Sequence, residues 1–211
     1  MFVELEENCP ILILLLISAT TETKTCNSDI IDIPGFCVHL NSRQNRMTNR
    51  GLGGIIIAVK DYLNNDVTII PKTNDIVLWC KISKTSLKLP MDMILGCVYI
   101  PPESSPYADK EHFSKLENDV VNMSALTNYI CVTGDLNART KNLSDYIIID
   151  DFFSDHDKID EELIYSSVHT LIANGISIDR QSMDTSVNSY GYKLLTVCKD
   201  TGVYIANGRV G

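Results

Sequence analysis

The chain has 211 residues, 45% of them apolar and 21% charged, which excludes a disordered chain, a collagen-like repeat and a disulfide-dense miniprotein. At roughly 150 residues per domain this length reads as one domain. Its 18 basic and 27 acidic residues give a net charge of −9. That excludes a generic nucleic-acid coat, which needs a cation for each phosphate neutralised, but leaves room for a nuclease with acidic metal ligands.

Residues 1–10 read as an acidic leader carrying Glu4, Glu6 and Glu7. Ile11–Ile17 reads as a buried strand. It is too short to span a membrane, and its acidic flank is the opposite of a secretory signal. Ile17-Ser18-Ala19-Thr20 then looks inserted ahead of Glu22. Further strands are expected at Phe36–Leu40, Ile55–Val59 behind Gly51-Leu52-Gly53-Gly54, Val67–Ile70, Ile76–Ile82, Met93–Ile100 and Tyr129–Thr133. Gly134 is expected to close the last of these and to admit a ligand or another backbone.

Three helices follow from spacings of three and four. The first carries Phe113, Leu116, Val120 and Met123 on one face. The second carries Leu163, Ile164, Val168, Leu171 and Ile172, with Asp160 as cap and Asn174-Gly175 as stop. The third carries Leu194, Leu195 and Cys198, with Ser189 as cap and Gly202 beyond its end. Val203–Ala206 reads as a closing strand. At least seven strands with three helices predict an α/β or α+β architecture.

The seven cysteines include no C-x-x-C pair, so neither a zinc ribbon nor a disulfide framework is expected. Cys37, Cys80, Cys97 and Cys131 lie in apolar runs, as small hydrophobes do. Reduced thiols imply an intracellular address, nucleus or cytoplasm. His39, His112 and His169 have no metal-ligand spacing. Arg43, Arg46 and Arg50 form a small basic run, either a solvated loop or a phosphate contact.

Three places could carry chemistry. Ile130-Cys131-Val132-Thr133-Gly134-Asp135-Leu136-Asn137-Ala138-Arg139 ends a strand in Gly, then Asp-x-Asn. Strand alternation would point Asp135 and Asn137 the same way, setting an acceptor carboxylate beside a donor–acceptor amide. Either this serves hydrolysis at a phosphate or it is an Asx turn. Gly96-Cys97-Val98-Tyr99-Ile100-Pro101-Pro102 puts Tyr99 at a strand's C-terminal end, as a phosphate donor or a core-rim residue. Thr21-Glu22-Thr23-Lys24 offers Glu22 as an oxygen ligand for Mg²⁺ or as part of a solvated turn.

Taken in order, these segments resemble the endonuclease/exonuclease/phosphatase superfamily, most closely the endonuclease domain of non-LTR (LINE-like) retrotransposons. Asp32-Ile33-Pro34-Gly35-Phe36, Pro101-Pro102-Glu103-Ser104-Ser105 and Asn188-Ser189-Tyr190-Gly191-Tyr192-Lys193-Leu194-Leu195 through Asn207-Gly208-Arg209 add to the match. The resemblance covers residues 11–211. It implies a four-layer α/β sandwich, two packed mixed β-sheets with helices outside. It implies Glu22 as metal ligand, Tyr99 on the phosphate side, Asp135 orienting or activating water, and Asn137 beside it holding the phosphate. Mg²⁺ or Mn²⁺ would be the cofactor, DNA the substrate, and a reverse transcriptase the fusion partner in a full-length element.

The family's opening strand with its asparagine and its closing Ser-x-x-Asp-Tyr and Ser-Asp-His segments have no match here. Asn8 lies too close to the next strand, and Ser154-Asp155-His156 spells the last motif before the second and third helices rather than after them. The expectation is therefore a domain lacking its C-terminal strands, with activity weak or lost. The rival expectations are a catalytically silent or binding-only remnant and a phosphatase of phospholipids or inositol phosphates.

Overall fold

The structure, a computed structural model, describes residues 17–23, 30–44, 51–147 and 168–209. They group into two compact units, one ending at Leu136 and one beginning at Asn137.

The first unit is built on two sheets. Strands β1 (Ile17–Thr21), β2 (Phe36–Gln44) and β3 (Gly51–Lys60) form one, in the order β1-β3-β2. Strands β4 (Val67–Ile69), β5 (Val77–Ile82), β6 (Met93–Tyr99) and β7 (Ile130–Asp135) form the other, in sequence order. A short helix α1 (Lys84–Leu87) links β5 to β6, and α2 (His112–Ser124) is the crossover from β6 to its parallel neighbour β7. The molecule is thus α/β with two packed sheets. Among the described residues only the second is mixed; the first shows antiparallel pairs, where a mixed sheet was expected.

Side-chain alternation explains the packing. Ile55, Ile57 and Val59 of β3 meet Leu78, Cys80 and Ile82 of β5 and Met93, Leu95, Cys97 and Tyr99 of β6 in one buried cluster between the sheets. The other face of β5 carries Trp79, whose ring lies over Gly96 on β6, where an added Cβ would overlap it. The Trp79 Nε1–H donates to Asp119 Oδ2 on α2 at 3.0 Å. The same oxygen accepts Thr73 Oγ1–H at 2.6 Å and Asn74 Nδ2–H at 2.7 Å, so this buried carboxylate is well supplied with donors. Helix α2 buries the expected Phe113, Leu116, Val120 and Met123. Sheet, sheet and helix account for three of the four expected layers within this unit.

Several boundaries differ from expectation. Ile11–Leu16 lies outside the described residues. Ile17–Thr21, expected in part to be an insertion, is itself β1, paired from Ile17↔Val59 to Thr21↔Ile55. Its β-branched Ile17, Thr20 and Thr21 suit a pleated strand. β2 runs four residues past Leu40, to Gln44. β7 does not stop at Gly134 but continues to Asp135. Cys80 and Cys97 are buried as expected, whereas Cys131 is exposed, because β7 is the outer strand of its sheet among the described residues.

The second unit contains α3 (Ser189–Thr201) and helical turns at 168–173. Those turns end at Asn174-Gly175 as expected, with Gly175 N–H on the Ile172 carbonyl. Asp160, Leu163 and Ile164 lie outside the described residues. Leu171 is buried, but Ile172 is 51% exposed rather than part of the same apolar face. In α3, Leu195 and Cys198 are buried and Leu194 half-buried. The cap is Asn188, not Ser189, which forms the first helical residue. Gly202 ends the helix in the left-handed conformation.

Val203–Ala206 is not a strand. At Ile205, side chains rather than a ladder satisfy the backbone. The Ile205 N–H donates to Asp145 Oδ2 at 2.6 Å, and the Ile205 carbonyl accepts from Arg209 Nη1 at 2.7 Å. Arg209 clasps Asp145 with both terminal nitrogens at 2.6 Å, and both side chains are almost wholly buried. Such a forked pair orients as well as neutralises.

Candidate functional site

β1 delivers Glu22 immediately after its last residue. Glu22 adopts a left-handed backbone, φ +59°, which is uncommon for a side chain of this kind. Tyr99 closes β6. Its ring is buried, and its hydroxyl donates to Glu22 Oε1 at 2.8 Å. This bond ties an end of the first sheet to an end of the second. The ring has room because position 53 carries no side chain; a Cβ there would stand 2.8 Å from Tyr99 Cε1.

Asp135 is the last residue of β7 and is registered directly against Tyr99 in the parallel pair. Paired positions of parallel strands share a face, so Asp135 and Tyr99 end their strands abreast on the face toward the first sheet. The Ile100 N–H donates to the Asp135 carbonyl at 2.9 Å, extending the pairing to the strand's last residue. The Asp135 side chain is exposed. Of the two partners allowed for Gly134, it meets backbone. With φ +129°, its α-carbon lies where any side chain would overlap the Val98 carbonyl.

The structure therefore brings Glu22, Tyr99 and Asp135 to one edge of the first unit. Asn137 begins the second unit, and the alternation expected to align it with Asp135 does not reach it. The strand ends at Asp135, and Asn137 turns left-handed at φ +49°. Its carbonyl accepts Asn188 Nδ2–H at 2.8 Å. Ser154, Asp155 and His156 lie outside the described residues, as do Arg46 and Arg50. Arg43 lies in β2, opposite Gly53.

Glu22 and Asp135 supply carboxylate oxygens, the donor type Mg²⁺ prefers. No group of three or more His, Cys, Asp or Glu side chains that could hold a metal occurs among the described residues. A Mg²⁺ site is commonly made from one or two carboxylates completed by water and substrate oxygens, and Glu22 supplies one such carboxylate. No described helix is long and apolar enough to cross a membrane.

The sequence reading missed two contributors. Gly53 makes the slot for Tyr99, and the Gly51-Leu52-Gly53-Gly54 run was its visible trace. Asn188 caps α3 and also holds the loop at Asn137. Asn is as good a cap as Ser, so that signal was present one residue earlier than Ser189. No protein-family model matches this chain, and no curated protein matches its sequence.

Proposed function

We propose that the protein is a metal-dependent phosphodiesterase acting on DNA, an endonuclease of the retrotransposon type. The observation that carries this reading is the 2.8 Å bond from the Tyr99 hydroxyl to Glu22, with Asp135 in register beside Tyr99. A carboxylate, a phenol and a second carboxylate converge where two sheets meet, each at the end of its strand. Glu22 would hold Mg²⁺ or Mn²⁺, with the Tyr99 hydroxyl orienting its carboxylate. With substrate bound, the same O–H would turn from Glu22 to donate to a phosphate oxygen. Asp135 orients the attacking water and accepts its proton. The resemblance adds Asn137, two residues on, whose amide would hold the phosphate. When bound, the metal polarises the phosphate and stabilises the leaving oxygen. The resemblance extends the proposal to a reverse transcriptase as fusion partner. The five described cysteines, all free thiols, support a nuclear or cytoplasmic address.

A second reading, a site that binds metal and DNA without cutting, is favoured by one observation. The described histidines of the first unit, His39 and His112, have contacts with Cys37 and Asp109 rather than with Glu22, Tyr99 or Asp135. His39 Nε2 lies 3.7 Å from Cys37 Sγ, and His112 Nε2 lies 4.0 Å from Asp109.

Two measurements separate the readings. Supercoiled plasmid incubated with the protein and Mg²⁺ is expected to be nicked slowly, and chelation with EDTA to stop the reaction. Asp135→Ala is expected to cost several orders of magnitude in rate, as removal of one member of a concerted catalytic set does. Nicking that survives Asp135→Ala removes the mechanism. Mn²⁺ binding, followed by water proton relaxation, is expected to weaken in Glu22→Gln. Binding that depends on Glu22 without any nicking selects the silent reading.

A further inference from the structure

An ordinary helix cap needs one side-chain bond, from the cap oxygen to an amide of the first turn. Asn188 makes three. Its Oδ1 accepts the Gly191 N–H at 2.8 Å, the usual cap bond, and also the Arg139 N–H at 2.9 Å. Its Nδ2–H donates to the Asn137 carbonyl at 2.8 Å. Its backbone N–H donates to the Arg139 carbonyl at 3.2 Å, which makes the contact with Arg139 reciprocal. The loop is pressed so closely onto the first turn of α3 that a side chain at Gly191 would overlap the Arg139 carbonyl. A further tie, the Thr140 N–H on Asp184 Oδ2 at 3.1 Å, holds the loop just beyond. The one residue of this clasp that bears on the proposed chemistry, Asn137, is held in a left-handed backbone, φ +49°.

We infer that Asn188 is a positioning residue for the proposed hydrolysis: its side-chain amide fixes the left-handed turn at Asn137 and so the direction in which Asn137 presents its own amide. This rests on the phosphate-side role proposed for Asn137. The two duties of Asn188 use different atoms. The cap uses the oxygen; the hold on Asn137 uses the N–H. Aspartate at this position keeps an oxygen for Gly191 and for Arg139 and places a negative charge at a helix N-terminus, where it is favourable. It has no donor for the Asn137 carbonyl.

Asn188→Asp in the full chain therefore tests the inference. Isotope-labelled protein reports the backbone at Asn137 through its Cα and Cβ shifts, and plasmid nicking with Mg²⁺ reports kcat and KM. The expected result is a melting temperature within a few degrees of wild type, Gly191 and Arg139 amides still protected from hydrogen exchange, and loss of the left-handed signature at Asn137. With these, kcat falls on the order of 10- to 100-fold while KM stays, the cost of a small misplacement in a reacting set. Asn188→Ala, which also removes the cap, is expected to lower both kcat and the melting temperature. An Asn137 signature unchanged in Asn188→Asp overturns the hold on Asn137, whatever the activity. A changed signature with wild-type kcat overturns the positioning role. If wild-type nicking proves independent of Asp135, the proposed function falls and the positioning role with it, while the Asn137 signature still decides whether Asn188 sets the turn.

Discussion

At Gly134 the backbones of β6 and β7 approach more closely than any side chain permits, and the conformation, φ +129°, is one that other residues avoid. Gly134→Ala is expected to destabilise the protein by at least about 1–3 kcal/mol, the scale of a single strained backbone position, read as a lower denaturant midpoint. It should also move Asp135 and abolish any nicking that depends on it. Tyr99→Phe is the gentler probe. It leaves the ring in the space beside Gly53 and removes only the donor to Glu22, at a cost of about 1 kcal/mol. Its expected effect is weaker Mn²⁺ binding with little change in melting temperature. Tyr99 and Asp135 were legible in the sequence because each marks the end of an apolar strand, where polar groups of such sheets collect; Glu22 was legible only through its place in the ordered resemblance, since the strand before it is too polar to read. The second duty of Asn188 was not legible. A cap residue announces the helix that follows it, but nothing in its neighbourhood points to Arg139, 49 residues earlier in the chain.

Among the elements, strands with continuous apolar runs were readable to within a residue or two, since β5 and β6 are covered on both faces and bounded by polar clusters. Two failures share a cause. Ser18-Ala19-Thr20 is too polar to read as a strand, yet pairing with the strongly apolar β3 makes it one. Val203–Ala206 is apolar enough to read as a strand, yet Asp145 and Arg209 take the backbone groups of Ile205. Tertiary partners overrode local preference in both. The Asp145–Arg209 pair is thus an organiser of the second unit. Asp145→Asn is expected to cost roughly 3–5 kcal/mol, because it strands a buried guanidinium, and to appear as loss of the α3 helical signal at lower temperature. In the strands, burial pushes the Cys80 and Cys97 thiols up to about 12, and burial does the same to Cys198 on α3. The reactive species is the thiolate, so maleimide at pH 8 should leave these three unlabelled in the native protein and label them after denaturation. Rapid native labelling of Cys80 would show that the inter-sheet core is open.

For the molecule as a whole, acid is the expected weakness. Asp109 is held down at about 2, first by the hydrogen bond from Lys115 and then by the Glu111 N–H. Burial alone would raise Asp145, but the bonds from Arg209 and the Ile205 N–H outweigh it and leave its carboxyl below the usual value. Both contribute stability that is whole above the ordinary carboxylate pKa of about 4 and is lost as pH falls through their lower native values. His39, depressed by burial, acts in the same direction at higher pH. Below its ordinary pKa of about 6.5 the unfolded chain takes the proton first. The melting temperature should therefore decline gently from pH 7 to 5 and steeply below 4. A melting temperature flat down to pH 3 would contradict these assignments.

Trp79 is the chain's one tryptophan, almost fully buried with its indole N–H on Asp119. Its emission is therefore an optical label native to the first unit. Helical ellipticity draws on α2 and α3 alike, one from each unit. Recording both signals on a single melt needs no added dye, and the gap between their midpoints measures how strongly the two units are coupled. In Asp145→Asn, that gap would show whether damage placed in the second unit is felt at Trp79.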